Sequence, residues 1–75
     1  GAMFGKTEKL VITVGGMSCG HCEGRVEKAV MLCDGIKKAK ASHSERTVKI
    51  THAAGSVVNM DEVRAAITEL GFQME

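Results

Sequence analysis

The hydrophobic period of this chain switches back and forth between two and about 3.6, and that alternation constrains its fold more than any other feature. Leu10, Ile12 and Val14 recur at every second position with Lys9, Val11 and Thr13 between them, so a half-buried strand is expected over 9–14. Past Gly15-Gly16 and a short loop, Cys22, Val26, Ala29, Val30 and Cys33 recur at helical spacing, while Glu23, Arg25, Glu27 and Lys28 occupy the other face. A helix therefore begins at the thiols, and Asp34-Gly35 stops it.

The second half repeats the pattern. Ile36, Ala39 and Ala41 are the inward positions of a second strand over 36–42, weakly patterned with small side chains. The polar segment 43–46 is turn-like, and Val48 and Ile50 mark a third strand over 47–51, so the two strands form a hairpin. A loop over 53–58 leads to Asn59, which caps a second helix. Glu62, three residues on, completes a capping box, and Val63, Ala66, Ile67 and Leu70 form the apolar stripe. Gly71 ends that helix, and Phe72 and Met74 alternate in a short last strand. The order β-α-β-β-α-β predicts an α+β, ferredoxin-like sandwich with two helices on one face of a four-stranded antiparallel sheet.

Such folds host many activities, so function has to come from the loop between the first strand and the first helix. Gly16-Met17-Ser18-Cys19-Gly20-His21-Cys22 sets two thiols three positions apart at a helix N-terminus, where unpaired backbone N–H groups and the helix dipole favour thiolate. That is a soft-metal site or a redox pair. Net charge is only +1, and lysine and arginine are interspersed with acids along the chain, which argues against nucleic acid as a partner. The longest apolar run, residues 10–14, is far too short to span a bilayer. Three cysteines, two of them three residues apart, fit a reducing compartment better than a secreted disulfide framework, and the expected localisation is cytoplasmic.

The Gly-Met-x-Cys-x-x-Cys segment, together with the pattern from Leu10 to Phe72, resembles the heavy-metal-associated domains, which include small copper chaperones and the soluble domains of heavy-metal P-type ATPases. The resemblance implies that Cys19 and Cys22 bind Cu(I), that Met17 tucks its thioether into the core, and that the metal passes by ligand exchange to a copper-transporting P-type ATPase or a similar domain. It implies a carrier, not an enzyme. Residues 1–3 then read as a cloning scar or disordered N-terminus and 4–75 as one heavy-metal-associated domain, monomeric when metal-free and able to form a copper-bridged dimer when loaded. An excised ATPase domain is the alternative to a free-standing chaperone. A His at position 21 is familiar from similar bacterial chaperones, whereas Phe at position 72 is commoner in similar ATPase domains.

The donor chemistry points the same way. Thiolates are soft and suit Cu(I), which accepts two ligands, whereas Zn(II) wants four. Ser18 adds no hard oxygen charge that would favour a divalent ion and is read as a helix cap. Mercury(II) would also suit two thiols. Gly20 and His21 lie inside the loop as outer contacts, and Phe72 is a plug beside the thiols. Cys33 continues the apolar stripe about 16 Å along a straight helix from Cys22, outside any shared mononuclear site. His43 and His52 are solvated turn and strand-end residues, spaced too widely for a Cys2His2 finger.

Two other classes are disfavoured. A dithiol oxidoreductase of thioredoxin type places a cis-proline beside its thiols, and this chain has no proline. An RNA-recognition module stacks bases on sheet aromatics, and the two aromatics here are Phe4 and Phe72, neither on a central strand.

Overall fold

The computed structural model describes residues 6–18 and 20–75. Six elements follow one another: β1 (Thr7–Gly15), α1 (Gly20–Met31), β2 (Ile36–Ser42), β3 (Thr47–Ala53), α2 (Met60–Glu69) and β4 (Gln73–Met74). The sheet order is β2-β3-β1-β4 and every pairing is antiparallel. Each helix crosses over one intervening strand, and the ferredoxin-like arrangement expected from the periodicity is present.

The inward positions of the strands meet the helix stripes in one core. Ile12, Val14, Val48, Ile50 and Ala41 from the sheet pack with Val26 and Val30 of α1 and Val63 and Ile67 of α2, all of them buried. Fully burying a Val or Ile side chain stabilises by about 1.5–3 kcal/mol, so the eight Val and Ile positions among them outweigh any surface contact.

Two details depart from the sequence pattern. Ile36 and Ala39 are an odd number of positions apart yet both face inward, because the β2–β3 register shifts between Ile36 and Lys38. That bulge leaves Lys37 as the extra residue and reverses the parity of the strand. Cys33 lies beyond the end of α1: Leu32 and Cys33 donate to Ala29 and Val30, three residues back, in a tightened last turn. Cys33 is buried all the same, at 6% exposure.

Asn59 caps α2 as expected, its side-chain oxygen accepting from the N–H groups of Asp61 and Glu62. The Glu62 half of the expected capping box goes elsewhere. Its Oε1 accepts from the Asp34 N–H at 3.2 Å and ties the start of α2 to the exit of α1. At the other end of α2, Gly71 at φ +93° donates to Thr68 and Phe72 donates to Ile67, the paired bonds of a Schellman motif.

Candidate metal centre

The segment between β1 and α1 is fixed at both ends. Met17 is buried at 8% exposure and belongs to the core cluster, so the loop is anchored through a thioether packed among aliphatic side chains. Gly16 has φ +103°, and a β-carbon there would stand 3.0 Å from Phe72 Cδ1. Only glycine suits both demands, the left-handed backbone and the ring lying against it. Phe72 reaches this place because the Schellman motif turns the chain back off α2, and Val14 then pairs with Met74 on the neighbouring strand.

Cys22 stands in the first turn of α1, half-buried and packed against the core. Its Sγ lies 3.8 Å from the Ser18 hydroxyl. The sequence suggests Ser18 as a helix cap; its hydroxyl also lies within hydrogen-bond reach of this thiol and can donate to the sulfur. Gly20 opens α1 on the surface, and His21 is exposed on the helix. Cys19 lies outside the described residues, as do Phe4 and the 1–3 segment.

A feature invisible in the sequence pattern braces this turn. Glu23 Oε2 accepts the backbone N–H of His43 at 2.7 Å, and His43 Nδ1 lies 2.7 Å from the same oxygen. One turn on, Glu27 Oε2 accepts the Ala41 N–H at 2.8 Å. The bonds from His43 hold the Glu23 carboxyl below its ordinary pKa, the backbone bond most strongly and the ring bond next, with partial burial opposing them and the field of Lys40 contributing least. His43 is therefore a turn residue as expected, but one engaged with the residue next to Cys22. His52 Nδ1 sits between the Ala53 carbonyl, at 3.2 Å, and the Ser56 hydroxyl, at 3.3 Å, at the end of β3.

Cys33 is separate from all this. Its Sγ contacts the Ala29 carbonyl oxygen at 3.9 Å beyond the far end of α1, a helix about 18 Å long. Burial pushes its thiol pKa up, and the nearby Glu62 and Asp34 add to the effect. Among the described residues, no three His, Cys, Asp or Glu side chains gather into a metal-binding group.

Residues 11–73 match the sequence profile of the heavy-metal-associated domain. The chain belongs to that family. It is 37% identical over 67 residues to the copper chaperone CopZ of Enterococcus hirae, covering 89% of this chain and 96% of that one. It is 29% identical over 69 residues to human copper-transporting ATPase 2, covering 92% of this chain and 5% of that protein. Among solved structures, a CopZ metallochaperone superposes with a TM-score of 0.80 at 28% identity, covering 91% of this chain and all of the other. The heavy-metal-associated domain thus recurs both as a small chaperone and as a small part of a large ATPase.

Proposed function

We propose that this heavy-metal-associated domain carries one Cu(I) between Cys19 and Cys22 and hands it to a docking partner by thiolate exchange. The observation that carries the reading is the Gly-Met-x-Cys-x-x-Cys segment, with its Met17 rooted in the core and its Cys22 raised on the first turn of a helix. Identity of 37% to a copper chaperone against 29% to the ATPase supports the chaperone reading over the ATPase one. The reading is of a carrier with no catalytic residues, working in the cytoplasm and monomeric when metal-free.

The chemistry follows from the donor set. Two soft thiolates satisfy Cu(I) and leave Zn(II) short of ligands. An incoming thiol of the partner gives up its proton and forms a third Cu–S bond; one original Cu–S bond then breaks, and that sulfur regains a proton. A second exchange completes the transfer with no change in oxidation state. Ser18 supports the Cys22 thiolate, and Phe72 keeps the base of the loop dry. Gly20 and His21, exposed beside the thiols, face the partner. A copper-transporting P-type ATPase or another domain of the same build is the partner class, and two loaded copies could share copper across a dimer.

The test is transfer. Reduced, copper-loaded protein is mixed with a copper-free heavy-metal-associated domain from a copper-transporting ATPase, the two are separated, and copper is assayed in each. The metal is expected to distribute between them in wild type and to be absent from the starting material of Cys19→Ser and Cys22→Ser. Copper that stays with the donor, or loading that survives both substitutions, overturns the reading.

A further inference from the structure

The open face of the sheet concentrates positive charge that is dispersed in the sequence. Register places Lys9, Thr51 and Lys38 side by side across β1, β3 and β2, and Val11, Lys49 and Lys40 in the next row on the same face. Lys9, Lys38, Lys40 and Lys49 line, with Thr51, a trough of about 570 Å³. With strands about 4.8 Å apart and rows about 6.7 Å apart, the four stems rise from an area of roughly 10 by 7 Å.

Lys40 and Lys49 are direct cross-strand partners, an arrangement that destabilises a sheet in the absence of a counter-charge. The strand positions that share these two rows carry no acid. Two carboxylates bear on the face from its margins. Glu23 feels the field of Lys40 from around the β2 edge. The Glu75 Oε2 lies 3.1 Å from the β-carbon direction of Gly15, about 13 Å along β1 from the Val11 row. Net charge is +1, so with +4 from the four trough lysines the remainder of the molecule, Glu75 at the far end of the same face included, carries −3. The protein is a dipole whose basic pole is a sheet face and whose acidic pole includes the helix layer.

The face suits some anions better than others. The strands carry no aromatic on which bases could stack, which disfavours single-stranded nucleic acid. Strand addition by a peptide uses an edge rather than a face, and at the β2 edge the Ala41 N–H is already taken by Glu27. What remains is a broad, fluid anionic surface, which asks for no fixed shape and lets long lysine stems adjust. Val11, 56% exposed among the lysines, can enter the boundary between headgroups and acyl chains.

We propose that this sheet face docks reversibly on an anionic lipid bilayer, with Lys9, Lys38, Lys40 and Lys49 among the phosphate headgroups. The thiol loop lies at one end of the sheet and stays clear of the bilayer surface, so docking does not depend on the copper reading and does not obstruct it. Each lysine near an anionic surface strengthens binding about five-fold, so four give a weak, salt-sensitive contact suited to a carrier that must leave again.

Metal-free, reduced protein is sedimented with vesicles of phosphatidylcholine alone and of equal parts phosphatidylcholine and phosphatidylglycerol, at low ionic strength and at ~0.15 M salt. Binding is expected to the anionic vesicles only and to weaken with salt. Lys40→Gln/Lys49→Gln should lower partitioning about 25-fold, while Arg25→Gln/Lys28→Gln, the same charge removed from the helix layer, should change it less than about two-fold. The first pair relieves a like-charge contact, so its thermal transition should be no lower than that of wild type. Equal partitioning to both vesicles, equal loss in both variant pairs, or displacement by inorganic phosphate at the vesicles' own lipid concentration overturns the proposal. So does tighter retention by poly-glutamate, which would assign the face to an acidic protein.

Discussion

Glu23, the residue after Cys22, binds His43 twice through one oxygen: its Oε2 accepts the His43 backbone N–H and lies at the same 2.7 Å from the ring Nδ1. With Glu27 accepting from Ala41, two carboxylates four apart on α1 engage two N–H groups two apart, Ala41 on β2 and His43 in the turn just past its end. Four helical residues rise about 6.0 Å and two strand residues about 6.6 Å, so the spacings match. The brace covers a sheet edge that would otherwise present unpaired donors, and it fixes the helix turn that bears Cys22.

That pair predicts a pH dependence. The Glu23 carboxyl titrates below its ordinary range when folded, so its contribution to stability is fully present above the unfolded carboxylate pKa and is lost as pH falls through the folded value. The Tm of wild type should exceed that of Glu23→Gln at neutral pH, and the gap should close on acidification. A gap independent of pH would contradict the assignment.

Glu27→Ala leaves the Ala41 N–H at the β2 edge without its partner. A loss of about 1 kcal/mol in urea unfolding is expected, along with a greater tendency to aggregate through the uncovered edge.

Gly16 and Phe72 should behave as a coupled pair. Gly16→Ala introduces a β-carbon 3.0 Å from the ring on a backbone at φ +103° and should cost about 1–3 kcal/mol. In the Phe72→Ala background the clash disappears and only the backbone strain remains, so the double variant should be more stable than the sum of the two losses predicts. Additive losses would show that the ring does not rest on this glycine.

Met17 separates packing from ligation. Met17→Leu keeps volume and should cost less than about 1.5 kcal/mol while leaving Cu(I) affinity intact. Met17→Ala should cost about 2–5 kcal/mol. Loss of affinity in Met17→Leu at full stability would make the thioether a ligand.

Cys33 should be the slow thiol. Burial raises its pKa, so iodoacetamide at neutral pH should label Cys22 well before Cys33, as read by peptide mass mapping of the metal-free protein. Because its folded pKa is raised, the stability from keeping it neutral is present below the unfolded thiol pKa and declines as pH rises above it. The wild-type Tm should therefore fall toward that of Cys33→Ala in alkali.

Strand and helix identities were legible because each rests on a local period, and the extent of β2 over 36–42 was read directly. Its two-parity core face, Ile36 with Ala39, hinted at a bulge that only the β3 register reveals. Asn59 was legible as a cap from its neighbours, but Glu62 was misassigned because its partner, Asp34, is 28 residues away. The Glu23 and Glu27 contacts span 20 and 14 residues, and the lysine face exists only once three strands are side by side, so no window along the chain contains either. The Ser18 contact with the Cys22 thiol, one helical turn away, is a side-chain geometry that a capping preference alone does not give.

The measurement closest to the central claim is an anaerobic titration of the reduced protein against a colorimetric Cu(I) chelator, repeated with zinc, for wild type, Cys19→Ser, Cys22→Ser and Cys33→Ala. One Cu(I) bound far more tightly than zinc, lost in the first two variants and unchanged in the third, is the predicted result. Tighter zinc binding, or an equal loss in Cys33→Ala, would contradict the account.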